Sequence, residues 1–502
     1  MTFPSGPPER RGFKSRTSSG PTTPKNRPWG FVTRHQLSGW RFLIRRIANG
    51  VALRNTEMLS DPLRRQARAA MVGVALAVIV CIGTFLMTMF KGAGAAGNHV
   101  ILADHDTNAL YVIVNGQAHP VPNLASARLI AGRPDEPTTV KPTEIDKYPL
   151  GNKMGIFGAP ERMVQSPDKN SRWIVCDAVT GTDEGTTVIA GDPAPGPGHA
   201  SSLPENSAIL ATSDAGATTW LIWGNKRSQI DLNNPAVAAS VGITVDAPAP
   251  RPIARQLLNL IPESPPLVVP FIANAGDPPR FVWPAPGAAP AIGSVITDHE
   301  NNQRRYYAVT AEGLQPISPV IAAILRANAA YGLIDPPSLT PDQIAKTPAV
   351  HAIATSNYPD APLKILSPVD APVTCGQWNK LAGSPTSTLG LLSGQSLPIP
   401  TGAAAVPLID PGPMNATRVV IPRGQGYYLE VTGQQPQSTT KESLFWLSDL
   451  GVRYGMEDAE HQPSKTAATL GMGAEPLPIP WAVLSLFTAG PTLSKSDALV
   501  AH

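Results

Sequence analysis

The hydrophobic pattern changes abruptly once along this chain. From Ala69 to Phe90 (AAMVGVALAVIVCIGTFLMTMF), 22 residues pass without a charge. At a helical rise of about 1.5 Å per residue the run reaches roughly 33 Å, enough for a hydrocarbon core of about 30 Å. Every later apolar run is interrupted by Pro or by charge. A cleaved signal peptide is the alternative, with Ala93-Gly94-Ala95 as its small-residue site. However, 68 residues precede the run, far more than a signal n-region carries. The run is also longer than an h-region of about 7–15 residues. The pattern predicts one retained membrane helix over 69–90.

Ahead of it, Leu37, Trp40, Ile44, Ile47 and Val51 recur at helical spacing, with Arg41, Arg45 and Arg46 between them. This predicts a basic amphipathic helix in the segment 34–68. Its five apolar residues would dock on the inner membrane surface or on a partner, the plainer reading being a solvated helix with one buried side. Asp61-Pro62 restarts a helix toward the membrane, because Pro is tolerated in a first turn. Residues 1–33, rich in Pro, Ser, Thr, Gly and Arg, are expected to be disordered.

Beyond the span, Gly92-Ala-Gly-Ala-Ala-Gly97 has the letters of a dinucleotide fingerprint but not its setting of strand before and helix after. It reads as a linker over 91–97, followed by a strand pattern at His99–Leu102. The region that follows is duplicated. Val140-Lys-Pro-Thr-Glu-Ile-Asp-Lys-Tyr-Pro149 matches Leu339-Thr-Pro-Asp-Gln-Ile-Ala-Lys-Thr-Pro348, offset by 199. Tyr111 and Tyr307, each in a short strand, are offset by 196, and Cys176 and Cys375 by 199. Trp220, Lys226-Arg227 and Ala238–Ile243 run parallel to Trp446, Arg453 and Ala467–Met472. Each of four units reads as a hairpin-like strand pair, a short helix ending near Gly132, Gly242, Gly332 or Gly471, and a Pro-flanked second helix.

The expected class is therefore α+β: four small αβ repeats around a β-rich core, with a pseudo-two-fold duplication. The repeats are assigned to 98–160, 206–275, 276–350 and 426–502. The core parts are 161–205 and 351–425. Pro is 55 of 502 residues, about twice the usual share. With 42% apolar residues beside it, it marks rigid turns rather than disorder.

Charge sets the orientation. Residues 1–68 carry 14 Lys+Arg and 3 Asp+Glu, a net of +11; the remainder carries 26 and 34, a net of −8. The positive-inside rule puts the N-terminus in the cytoplasm and the large domain on the exported side. The overall net of +3 hides this split and gives no reason to expect nucleic acid. The basic side suits a surface of anionic lipid. Cys81 lies within the membrane run. Cys176 and Cys375 both fall in the exported part, where two cysteines suggest one disulfide. Two unrelated buried thiols are the alternative, and the equivalent places of the two residues argue against it.

The search for chemistry finds no catalytic, metal or cofactor site. GxxxxGK[ST], GxSxG and HExxH are absent. Asp104-His-Asp-Thr-Asn108 begins like a calcium loop, but Ala109 replaces the turn Gly and Asn115 the bidentate Glu. His99 and His105 lack ligand spacing. Trp220, Trp223, Tyr306-Tyr307 and Tyr427-Tyr428 at strand spacing read as packing before they read as a ligand face.

Gln36-Leu-Ser-Gly-Trp-Arg-Phe-Leu-Ile-Arg-Arg46, Met58-Leu-Ser-Asp-Pro-Leu-Arg-Arg65, Trp173-Ile-Val-Cys-Asp177, Ile479-Pro-Trp-Ala-Val-Leu-Ser-Leu-Phe487 and Gly490-Pro-Thr-Leu-Ser494 resemble the EccB family of mycobacterial type VII (ESX) secretion systems. The likeness extends over nearly everything after residue 30. Phe31–His35 and Lys226–Leu232 most resemble the paralogue of the third, iron-acquisition system. The resemblance implies a periplasmic four-repeat domain around a central core, stapled by a disulfide that maps onto Cys176 and Cys375. It also implies assembly with the EccC motor ATPase, EccD, EccE and other EccB copies, and an indirect relation to the secreted substrates. The expected function is a non-catalytic structural subunit of the secretion complex in the inner membrane. The alternatives are a nucleotide hydrolase (ATPase) within that complex, an activity some descriptions of the family assign, and a cell-wall-binding module presenting Trp220 and Tyr307.

Overall fold

Among the described residues of the N-terminal unit there are two helices, α1 (Arg34–Leu53) and α2 (Pro62–Phe90). In this computed structural model, residues 34–54, 62–90, 97–213, 216–300, 303–408, 412, 414–457, 465–473 and 475–502 are described. The segment 1–33, expected to be disordered, and 91–96 of the expected linker lie outside them. Pro62 opens α2, where its missing N–H costs nothing. The helix starts seven residues before the apolar run, because Leu63-Arg-Arg-Gln-Ala-Arg68 are all good helix formers. Arg68–Met87 has the length and composition to cross a membrane. Within it the Thr84 hydroxyl donates to the Cys81 carbonyl at 2.9 Å, so this polar atom is satisfied by its own helix.

The second unit, Gly94–His502, begins with an antiparallel meander of β1 (Ile101–Asp104), β2 (Leu110–Val114) and β3 (Gln117–Val121). Then come α3 (Leu124–Ala131), β4 (Thr138–Val140) parallel to β1, and α4 (Pro142–Ile145). Leu150 bridges in parallel to Ala118 on β3. The chain next supplies β5 (Ser171–Ala178), β6 (Gly185–Ala190) and β7 (Ser201–Ser202) to a central sheet.

The same path is then followed again. β8 (Ser207–Ser213), β9 (Thr218–Trp223) and β10 (Lys226–Ile230) form the meander. After α5 (Pro235–Ser240), β11 (Arg251–Pro252) lies parallel to β8. After α6 (Arg255–Leu260), β12 (Glu263–Leu267) lies parallel to β10. A third meander is β13 (Val295–Glu300), β14 (Gln303–Val309) and β15 (Leu314–Ile317). Here α7 (Pro319–Asn328) precedes a parallel bridge from Ser338 to Thr297, and α8 (Pro341–Ala345) precedes one from Ala349 to Leu314.

β16 (Lys364–Ile365) leads into β17 (Val373–Lys380), β18 (Thr388–Gly394), β19 (Val406–Pro407) and β20 (Arg418–Val420). The fourth meander is β21 (Tyr427–Thr432), β22 (Leu444–Leu447) and β23 (Val452–Met456). After α9 (Lys465–Leu470), β24 (Leu477–Pro480) joins β21 in parallel. After α10 (Trp481–Leu484), β25 (Thr488–Ala489) joins β23 in parallel, and α11 (Lys495–Ala498) follows.

The strand pair expected in each unit is thus a three-stranded meander, and each helix returns the chain to a parallel edge. Those edges are missed by pattern reading because a two-residue strand such as Arg251–Pro252 shows no alternation. The strand expected at His99–Leu102 runs instead from Ile101 to Asp104. β16, within a stretch assigned to the core, pairs with β8 of the second small sheet.

Helix starts are written locally. Asn123, Asn234, Ser318 and Thr340 each accept a hydrogen bond from a backbone N–H in the first turn, and the last three are followed by Pro. Thr340 and Gln343 complete a capping box. α3 and α9 run straight into Gly132 and Gly471, whereas α7 stops at Asn328, short of Gly332.

The central sheet runs β19-β20-β6-β5-β17-β18-β7, with β5 antiparallel to β17 in its middle. Alternation gives it two faces. Trp173, Val175 and Trp378 face one core with Leu257 and Leu260 of α6 and Val483 and Leu484 of α10. Ile174, Cys176, Cys375 and Leu392 face a smaller core on the other side. Each large side chain so buried contributes roughly 1.5–3 kcal/mol. The first small sheet shares a core with the fourth, where Leu129 and Val112 meet Trp446 and Leu470. The second shares one with the third, where Val237 and Val241 meet Ile321 and Ile324.

Candidate functional site

Two features gather the sequence-derived candidates: the seam between β5 and β17, and the apolar residues of α1. At the seam, Cys176 lies opposite Cys375 in register and the two are joined as a disulfide, with Cα atoms 4.0 Å apart. One position along, Asp177 faces Thr374. Pattern reading missed the buried charges here. Arg251, only 3% exposed, reaches from β11 across the seam. Its guanidinium donates to the Ala371 carbonyl at 2.6 Å, the Leu366 carbonyl at 3.0 Å and the Thr374 hydroxyl at 3.3 Å. Asp177 Oδ2 accepts from the Ala254 N–H, the N-cap of α6, at 2.8 Å.

Burial pushes the Asp177 carboxyl above its usual range, against the Ala254 N–H, the Thr186 hydroxyl and Arg251, which favour the charged form. Burial also pushes Arg251 down to about 10, opposed by Asp177. An arginine in a two-residue edge strand carries no signal that could have marked it for burial. The guanidinium ties β11 to residues 366–374, and the disulfide ties β5 to Cys375 next along, so the two links converge on the start of β17 from different strands.

The five apolar residues Leu37, Trp40, Ile44, Ile47 and Val51 all lie on α1 and are exposed, Trp40 at 63%. On α1, hydrophobic burial within the unit does not account for them.

Other candidates resolve into structure. Asp104 accepts from the Asp106 N–H at 3.0 Å and from the Thr107 hydroxyl at 2.8 Å, closing a turn on itself, and these bonds hold its carboxyl below the usual range. Among the described residues no cluster of three His, Cys, Asp or Glu could hold a metal. Trp220 is 9% exposed and donates to Ser213 Oγ at 3.1 Å; Tyr307 is 7% exposed and donates to Asp298 Oδ2 at 3.2 Å. Neither can present a ring face to a polymer. A groove of about 610 Å³ runs between α6 and α10, and among the described residues Glu442 is the one charged side chain lining it.

Among the described residues, one helix long and apolar enough to cross a membrane and a large β-rich domain holding a buried disulfide define the class: a mixed α/β protein with a candidate membrane span near its N-terminus. The profile of the family described as "Type VII secretion system ESX-1, transport TM domain B" matches residues 29–502. The chain belongs to this family, EccB. It is 48% identical over 507 residues to the ESX-3 secretion system ATPase EccB3 of Mycolicibacterium smegmatis, covering 100% of this chain and 97% of that one. The protein of the same name from Mycobacterium tuberculosis (strain ATCC 25618 / H37Rv) is 46% identical over 514 residues, covering 98% and 94%. Among solved structures, a chain of an intact ESX-5 inner membrane complex is similar with TM-score 0.72 and 34% identity, covering 95% of this chain and 96% of that one. A chain of the EccB3 dimer from the ESX-3 core complex has TM-score 0.72 and 46% identity, covering 80% and 100%.

Proposed function

We propose that this chain is a non-catalytic structural subunit of a type VII secretion complex in the inner membrane, with its N-terminus in the cytoplasm and its large domain in the periplasm. The observation that carries the reading is the likeness across 95% of the chain to a subunit of an intact ESX-5 inner membrane complex. The charge split, +11 before the span and −8 from residue 69 on, supports the orientation. So does the Cys176–Cys375 bond, which persists in an oxidising compartment. In this reading the four small sheets are four repeats, and a pseudo-two-fold axis through the disulfide relates the halves. α1 docks through Leu37, Trp40, Ile44, Ile47 and Val51 on cytoplasmic partners: the EccC motor ATPase, EccD and EccE. Other EccB copies meet the domain in the periplasm.

Deleting residues 34–60 should release the chain from EccC, EccD and EccE on affinity purification while the periplasmic domain stays folded. Undiminished co-purification would overturn the docking role.

The relatives' names carry ATP hydrolysis. A triphosphate needs a cradle of N–H groups or cations. No phosphate-loop motif occurs, and among the described residues no Lys or Arg lines the α6–α10 groove. ATP turnover by the purified full chain that survives successive separations and vanishes with one side-chain change would reverse this assignment.

A further inference from the structure

Trp481 departs from its own segment. Within the closing stretch, Ile479, Val483, Leu484, Leu486 and Phe487 are all buried, while Trp481 is 49% exposed. Its indole is nonetheless held. The Arg453 guanidinium carbon sits 5.0 Å from the ring centroid and the Phe445 ring 6.2 Å away. Neither of these lines the groove, whereas Trp481 does.

The groove's other walls are mixed, with Met414, Val431, Ala482 and Leu486 set among polar side chains. Asn259, Thr432, Gln434, Ser485 and Glu442 contribute to them. The Gln434 amide nitrogen donates to the Asn259 carbonyl at 2.8 Å and to the Leu260 carbonyl at 2.5 Å, which pins that amide and leaves its oxygen as the acceptor. Among the described residues, the side chains of Asn259 and Glu442 take no hydrogen-bond partner.

This lining selects a ligand class. Among the described residues one carboxylate and no cation line the groove, which disfavours phosphates and other anions. A protein interface core is depleted in charge, whereas Glu442 stands in this lining beside three amide side chains. A fixed aromatic plate edged by amides, hydroxyls and a carboxylate matches the amphipathic surface of a sugar: C–H faces against the indole, hydroxyls to the polar groups. The volume of about 610 Å³ falls within the range of about 300–1,000 Å³ for ligand clefts. We propose that the α6–α10 groove binds a neutral oligosaccharide, with Trp481 as its stacking platform. This does not depend on the assembly reading above.

The test uses the full chain in detergent, titrated calorimetrically with a β-1,4-linked N-acetylglucosamine tetramer and, separately, with maltotetraose. Saturable binding of at least one is expected. Trp481→Ala should weaken it about tenfold or more, Trp481→Phe less, and Phe271→Ala, an exposed aromatic elsewhere, not at all. Asn259→Ala, at an exposed position, repeats the test without touching the core, and thermal unfolding of each variant verifies the fold. Binding of neither sugar, or binding indifferent to both Trp481→Ala and Asn259→Ala, would overturn the proposal. So would a Trp481→Ala variant that changes only self-association in sedimentation, since the groove would then seat a second copy.

Discussion

Cys176 and Cys375 stand directly opposite one another on adjacent antiparallel strands, and the 199 residues separating them equal the offset between the two copies of the h-x-P-x-x-I-x-K-x-P motif. Equivalent residues that bond to each other would straddle a two-fold axis relating their halves. That geometry underlies the proposed pseudo-two-fold arrangement and locates the first prediction.

Non-reducing peptide mass spectrometry should recover a cross-linked Cys176–Cys375 peptide. The Cys176→Ala/Cys375→Ala double variant should lose about 3–5 kcal/mol in denaturant unfolding, because a very long loop is freed in the unfolded chain. An unchanged unfolding midpoint would show that the bond contributes nothing.

Arg251→Met removes the fork that reaches Leu366, Ala371 and Thr374 and leaves Asp177 buried without its counter-charge. A loss of about 3–5 kcal/mol is expected. Combined with the cysteine variant, the losses should add only in part, since both links end at neighbouring residues of β17, Thr374 and Cys375. Strict additivity in a double-mutant cycle would mean the two act independently.

Gly242 has φ +104°, and a Cβ there would sit 2.1 Å from the Leu363 carbonyl oxygen. The adjacent Val241 carbonyl accepts from the Leu363 N–H at 2.9 Å, so this approach brings β16 onto the second small sheet. Gly242→Ala should cost about 2–4 kcal/mol through backbone strain and overlap. Hydrogen exchange should show the loosening first at residues 363–366; uniform protection would contradict this.

Tyr427 is buried against Trp173, with ring centroids 5.3 Å apart. Burial, with Asp168 adding to it and a Ser166 hydrogen bond opposing, pushes its phenol up to about 12 from 10.0. A folded-state value above the unfolded one contributes stability that is complete below pH 10 and is lost as pH rises through about 12. The share is about 2–3 kcal/mol. Stability measured from pH 9 to 12 should therefore fall less steeply in Tyr427→Phe than in the parent. Equal slopes would remove Tyr427 from the account.

Much of the local structure is set by neighbours in the chain. The uncharged run 69–90 makes a helix of membrane length whatever surrounds it, and Asn123, Asn234, Ser318 and Thr340 begin helices through bonds within one turn. The matching offsets of motif and cysteines, and the family itself, are legible without coordinates.

Contacts between distant segments were decided by the tertiary structure. Alternation marks Trp220 and Tyr307 as facing one side of a strand but does not say that both sides are covered. Pattern gives no reason for the first small sheet to share its core with the fourth, or for Arg251 to be buried beside Asp177. An apolar stretch demands burial on average, yet Trp481 within it faces outward while its neighbours fill the core. Periodicity records the local direction of a side chain. What meets it there depends on pairings hundreds of residues apart, and those exist only once the chain has folded.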